Sequence, residues 1–239
     1  MKKKLKFKFS EAIVFEDDEY IIIDKPPFIS TLQDRFDSIN ISDLAKEYCP
    51  GAIVNHRLDK ETSGLLVIAK NEEAYRHFSI LLENHEVHKL YHTIVWGTHQ
   101  FQEMLIEAPL LVTNSGKVRV DPAGKYSATI VKTLELFPKH SLLECKILTG
   151  KKHQIRIHLG SGGAPIIHDG TYGGDPLYLS DLKRNYKGKP GSEERPLSRR
   201  VMLHSKQLAF ENQAGKLIEL DTDYPSDFEL ILKKLRKFS

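Results

Sequence analysis

Short, β-prone apolar runs outnumber segments with helical spacing along this chain. Residues 13–15 and 20–24 flank the acidic turn Glu16-Asp17-Asp18-Glu19, which predicts a hairpin. Lys25-Pro26-Pro27 ends it, because neither proline can donate to a strand ladder. The unbroken apolar run 65–69 predicts a strand covered on both faces. In the strand predicted over 87–96, Tyr91, Thr93 and Val95 share one face and Leu90, Ile94 and Trp96 the other. Two further strands, 126–137 and 142–148, surround the Pro138-Lys139-His140 turn, and a closing pair, 206–210 and 216–220, surrounds 212–215. Helical spacing predicts a short helix over 42–48, stopped by Pro50-Gly51. A second follows an Asn71 N-cap and carries Ala74, Phe78, Leu81 and Leu82; a third spans 227–237 with Phe228, Ile231, Leu232 and Leu235. The alternation of Ile155, Ile157 and Leu159 by itself favours a strand. The expected class is therefore α+β, with a mixed, mostly antiparallel central sheet flanked by helices and loops. One long segment, 170–200, carries no clear pattern, and such loops are often functional.

Composition narrows the class. With 239 residues, 40% hydrophobic and 28% charged, the chain can bury a core without disulfides or metals. The five-residue run 65–69 is far short of a membrane span, and the first residues alternate Lys and Phe rather than forming a signal peptide. Cys49 and Cys145 lie far apart and outside any metal-ligand spacing, so a reducing cytoplasm and no metal are expected. The net charge is only +3, but it is unevenly spread. Lys2, Lys3, Lys4, Lys6 and Lys8 form one basic cluster, and Lys233, Lys234, Arg236 and Lys237 another. Between 183 and 200, Lys183, Arg184, Lys187, Lys189, Arg195, Arg199 and Arg200 stand against Glu193 and Glu194, a net of +5. Each cluster alone is an ordinary solvated face; three together favour a polyanionic partner. The expected organisation is a basic N-terminal extension over 1–10 and a single catalytic domain over 11–239.

Two polar knots carry the candidate chemistry. The first, His56-Arg57-Leu58-Asp59-Lys60-Glu61-Thr62-Ser63-Gly64, directly precedes the buried run at 65–69. A carboxylate beside cationic side chains stays ionised, and an ionised aspartate in a partly buried pocket serves as base or nucleophile. The same residues also suit a loop held by salt bridges. The second knot, Thr149-Gly150-Lys151-Lys152-His153-Gln154-Ile155-Arg156-Ile157-His158, has histidines five apart, which suits no metal on either strand or helix. Gly170, Gly173 and Gly174 match no phosphate-cradling loop, so no nucleotide cofactor is expected.

In order and spacing, residues 56–70 (HRLDKETSGLLVIAK) resemble the signature of the RluA family of pseudouridine synthases. Residues 20–26, the Lys89-Leu90-Tyr91 strand, residues 149–158, Leu203-His204-Ser205 and 224–228 resemble further elements of that family. The resemblance covers about 11–230. It implies the pseudouridine synthase fold, with residues 154–159 in a short helix rather than a strand. It also implies isomerisation of uridine to pseudouridine in ribosomal or transfer RNA, without cofactor. Nothing in the sequence demands a dimer, and a monomer is expected. Asp59 then matches the catalytic aspartate, Arg156 the arginine that pairs with it, and Tyr91 the tyrosine that stacks on the base. Arg57 matches an arginine that fills the vacated stack, and Leu203 a wall of the base pocket. Lys152, His153, Lys183 and Arg184 would contact phosphates. His168-Asp169 departs from the family's usual Gly-Asp, and the S4-type RNA-binding domain of many relatives is expected to be absent. Two other classes stay in view. The basic clusters would suffice for a non-catalytic RNA-binding or ribosome assembly factor. A glycosidase-like hydrolase would need two carboxylates, with Asp169 as the second.

Overall fold

The structure is a computed structural model describing residues 7–34, 39–114, 116–188 and 191–239. Lys2, Lys3, Lys4 and Lys6 of the basic extension, and Lys189 of the basic loop, lie outside the described residues. In chain order the elements are a 3-10 turn (Phe9–Ala12), β1 (Ile13–Glu16), β2 (Tyr20–Lys25), α1 (Ile41–Tyr48), β3 (Ile53–Val54), β4 (Ser63–Ala69) and α2 (Glu72–Glu83). There follow β5 (His88–Trp96), β6 (Met104–Glu107), β7 (Leu110–Val112), β8 (Val118–Val120), β9 (Ala128–Leu136), β10 (His140–Ile147) and α3 (Gln154–Ser161). The chain ends with α4 (Leu179–Leu182), β11 (Leu203–Glu211), β12 (Leu217–Asp221) and α5 (Ser226–Phe238). Two compact units result, Met1–Val87 with Gln207–Thr222 and His88–Lys206 with Asp223–Ser239. Mostly antiparallel sheet with few helices is the α+β class expected. Among the described residues no helix is long and apolar enough to cross a membrane.

In the first unit β1 and β2 form the expected hairpin, with Ile13 opposite Ile23. Its turn is closed by Asp17, whose Oδ1 accepts from the amides of Glu19 (2.8 Å) and Tyr20 (2.7 Å). β2 pairs antiparallel with β4, and all seven residues of β4 are buried. The alternating residues Tyr20, Ile22, Leu65, Val67 and Ala69 share a core with Ala74 and Phe78 of α2 and Leu208 and Phe210 of β11. Asn71 caps α2 as expected, its Oδ1 accepting from the Ala74 amide at 2.9 Å.

The second unit is an antiparallel sheet in the order β5-β10-β9-β6, with Tyr91 opposite Cys145, and a separate β7–β8 hairpin. Residues 154–161 form a helix, as the resemblance implies and against the strand read from the apolar alternation. Gln154 to Leu159 are all buried, so no polar face remains to show the helical period. A glycine inside this helix has a packing reason. A Cβ on Gly160 would come within 2.6 Å of the Tyr172 carbonyl oxygen. The patternless 170–200 segment contains α4, a single turn.

Arg200 corrects the charge reading. Counted above with the surface cations of the basic loop, it is 0% exposed. Its Nε and Nη2 donate to Asp227 Oδ2 (2.6 Å) and Oδ1 (2.9 Å), and its Nη1 to the carbonyls of Val201 (3.2 Å) and Leu203 (3.3 Å). A guanidinium with its donors satisfied this way ties the N-terminus of α5 to the start of β11. Sequence position placed Arg200 in a basic run because its partner lies 27 residues away. Asp227→Ala is expected to cost about 3–5 kcal/mol in chemical denaturation, since it strips the fully buried Arg200 guanidinium of its carboxylate. Burial pushes the Asp227 carboxyl up, and the Arg200 guanidinium outweighs it, so the net direction is down. The pair's contribution is therefore complete above the ordinary aspartate range and is lost as pH falls through the depressed native value. Urea midpoints between pH 7 and pH 2 should show that loss in the wild type and a smaller one in Asp227→Asn.

Candidate active site

In the first unit, Asp59 stands on a loop pinned at both ends by backbone and buried side chains. Thr31 Oγ1 donates to the Leu58 carbonyl (2.7 Å) and accepts from the Leu58 amide (3.1 Å). The Phe28 amide donates to the Lys60 carbonyl at 2.7 Å, and the Thr62 amide closes a turn on the Asp59 carbonyl at 3.0 Å. Lys25 is fully buried, with its Nζ donating to the carbonyls of Pro26 (3.0 Å), Ile29 (3.1 Å) and Lys60 (3.4 Å). The lysine thus joins the end of β2 to the Asp59 loop. Its signal was in the sequence, a lysine beside two prolines at a strand end, but nothing local told a staple from a solvated cation. His56 Nε2 accepts from the Val67 amide at 3.1 Å, and its ring stacks on Phe78, anchoring the start of the loop. On this loop Asp59 is half-buried and Arg57 exposed.

In the second unit the candidate residues converge on one ion pair. Arg156 Nε and Nη2 donate to Asp169 Oδ2 (2.7 Å) and Oδ1 (2.8 Å), and Asp169 is 1% exposed. The guanidinium carbon lies 5.1 Å from the centroid of Tyr172, whose hydroxyl is 2.8 Å from His153 Nδ1. The Asp169 carbonyl accepts from the amides of Tyr172 (3.0 Å) and Gly174 (2.9 Å), so backbone and side chain hold this aspartate together. Asp169, weighed above as the second carboxylate of a hydrolase, is instead the anchor of Arg156. His168 beside it adopts φ 65°, the left-handed conformation that favours glycine, which accounts for the family's usual residue there.

Tyr91 is buried in β5, and that strand is stitched to the Asp169 segment. The Ile167 amide donates to the Ile94 carbonyl (3.0 Å) and the Trp96 amide to the Pro165 carbonyl (2.9 Å). Thr93 Oγ1 and the Ile94 amide both donate to the Met202 carbonyl, which fixes buried Leu203 just beyond. Of the residues expected to meet phosphates, Lys152 Nζ donates to the Gly116 carbonyl at 2.8 Å and His153 joins the Tyr172 hydroxyl. Lys183 follows α4. Arg184 lines a cavity of about 320 Å3 with Phe137, His140, Asp181, Leu235 and Phe238, which none of Tyr91, Arg156, Asp169 or Leu203 lines.

Asp169→Ala removes two charged acceptors from a nearly buried guanidinium, and a loss of about 3 kcal/mol is expected. Asp169→Glu should recover only part of it, because the longer side chain cannot keep both bonds in the same fork. Urea denaturation of the three proteins measures both.

A sequence model of the family described as "RNA pseudouridylate synthase" matches residues 19–161. The chain is 31% identical to "Ribosomal large subunit pseudouridine synthase C" of Vibrio parahaemolyticus over 235 residues, which are 96% of this chain and 71% of that protein. It is 30% identical to an "Uncharacterized RNA pseudouridine synthase" of Zymomonas mobilis, covering 92% of this chain and 96% of the relative. Among solved structures, "Human RNA Pseudouridylate Synthase Domain Containing 4" shares the fold with a TM-score of 0.72 at 24% identity, over 95% of this chain and 94% of that one. With the family match running from β2 into α3, this chain belongs to the RNA pseudouridylate synthase family.

Proposed function

We propose that this pseudouridine synthase isomerises a uridine of ribosomal or transfer RNA, with Asp59 as catalytic carboxylate, Arg156 as its guanidinium partner and Tyr91 as the residue that stacks on the base. One observation carries the reading: the family match over 19–161 encloses all three residues. Similarity to proteins named for the ribosomal large subunit supports ribosomal RNA as the substrate to test first.

In this reading the N1–C1′ bond breaks, the uracil rotates and C5 bonds to C1′, while the C5 proton departs and N1 regains one. Nothing is oxidised and no group is lost. Asp59 either attacks the nucleoside or removes a ribose proton, and both routes need it ionised and oriented, which a guanidinium provides. Tyr91 offers an aromatic face to the base and a hydroxyl to take the C5 proton. A paired uridine must first be flipped out, at a cost of a few kcal/mol. Arg57 would fill the gap in the stack, and Leu203 would wall the base pocket. Lys152, His153, Lys183 and Arg184 would meet phosphates. The enzyme is taken as a cytoplasmic monomer that uses no metal or nucleotide cofactor, its catalytic domain spanning 11–239.

Asp59→Asn should abolish pseudouridine formation in a large-subunit ribosomal RNA transcript, read by nucleoside mass spectrometry, while leaving RNA affinity near wild type. Residual turnover would remove Asp59 from its role. Arg156→Ala should lose more than tenfold, equivalent to about 1.4 kcal/mol of barrier. Replacing Lys183, Arg184 and Lys187 together by Ala should reduce the log–log salt slope of RNA binding by about 2 units if all three reach phosphates, and leave single-turnover rates at saturating RNA unchanged. A wild-type protein that binds this RNA without modifying it would favour the non-catalytic reading.

A further inference from the structure

Two lysines of the described residues are buried, and they are satisfied very differently. Lys25 gives its Nζ to three carbonyls. Lys89, 8% exposed at the start of β5, makes no salt bridge and donates no side-chain hydrogen bond among the described residues. Burial alone pushes its amine down to about 8, with no carboxylate pulling the other way. An ammonium placed like this is costly in the free protein, and packing alone would be served better by an uncharged side chain of the same length.

Its surroundings are those of a prepared site. The two-residue period of a strand sets Lys89 on the same face of β5 as Tyr91, about 6.8 Å along it. The Nζ lies 3.9 Å from where a Cβ on Gly150 would stand, so the head of the 149–152 loop forms one wall. Gln154 makes that loop rigid. Its Oε1 accepts from Thr149 Oγ1 (2.7 Å) and the Lys151 amide (3.0 Å), and its Nε2 donates to the Ala128 carbonyl and Thr129 Oγ1, both at 2.9 Å.

We infer that Lys89 is a phosphate-binding residue, its ammonium receiving a phosphodiester oxygen of the nucleotide whose base stacks on Tyr91. The inference rests on the pseudouridine synthase reading, which supplies RNA as the polyanion, and goes beyond it by assigning the missing counter-charge to the substrate. A base and its own phosphodiester are separated by a span of the same order as that between Lys89 and Tyr91. Lysine meets phosphate as a point charge and needs no fork geometry, so one ammonium at the end of a buried stem suffices.

The test uses the full chain and a large-subunit ribosomal RNA transcript. Lys89→Met keeps the apolar stem and removes the charge. Its melting temperature should equal or exceed that of the wild type, while the apparent Kd rises about tenfold and the log–log salt slope falls by about 0.7–0.9. The loss should fall on KM, with kcat at saturating RNA kept within about threefold, and Lys89→Arg should restore the salt slope. An unchanged Kd and slope in Lys89→Met would overturn the inference. So would a lowered melting temperature with kcat and binding failing together, which marks a structural lysine. A wild type that binds the transcript but forms no pseudouridine would sink the enzymatic reading, and the salt slope would still decide Lys89.

Discussion

A guanidinium taken out of water must be met by a carboxylate, and in the second unit that requirement organises the candidate site. Arg156 and Asp169 satisfy each other through two parallel bonds, and Asp169 is reachable by almost no solvent. Breaking either partner exposes the full desolvation cost of the other, so the positions of both are over-determined. The rest follows from where each is attached. Arg156 rides on α3, whose first residue is locked to β9 through the Gln154 amide. Asp169 ends a segment laced to β5, the strand of Tyr91. One ion pair therefore sets the helix, the loop and the strand of this unit in a single register.

The same logic recurs at two other buried cations among the described residues. Arg200 spends its donors on Asp227 and two carbonyls, and so joins α5 to the residues leading into β11. Lys25 satisfies three carbonyls and draws the Asp59 loop to the end of β2. In each case a cation gathers backbone that would otherwise need ordered water or a turn of its own. Lys89 stands apart because its ammonium engages neither carbonyl nor carboxylate among the described residues.

Much of this was legible in the sequence. The hairpin about Asp17, the doubly covered β4, the Asn71 cap and the apolar stripe of α5 follow from local chemistry, because the residues that decide them are neighbours along the chain. Order and spacing of Asp59, Tyr91 and Arg156 within their motifs pointed to the family. What stayed hidden depends on partners far away in the chain. α3 shows no polar face because every side chain from 154 to 159 is covered by other elements. The short strands β6, β7 and β8 are partly exposed and too brief for a period to register. Arg200 read as surface charge and Asp169 as a spare carboxylate, since neither Asp227 nor Arg156 is close in sequence.

The left-handed backbone at His168 has a consequence for experiments on the site. An L-residue held in that conformation forgoes about 1–2 kcal/mol that glycine would not, and the bond its amide makes to the Asp175 carbonyl needs no side chain. His168→Gly is thus a partial suppressor, a background that offsets about 1–2 kcal/mol of what variants of Arg156 or Asp169 lose. In that background a loss of turnover can be separated from a loss of protein.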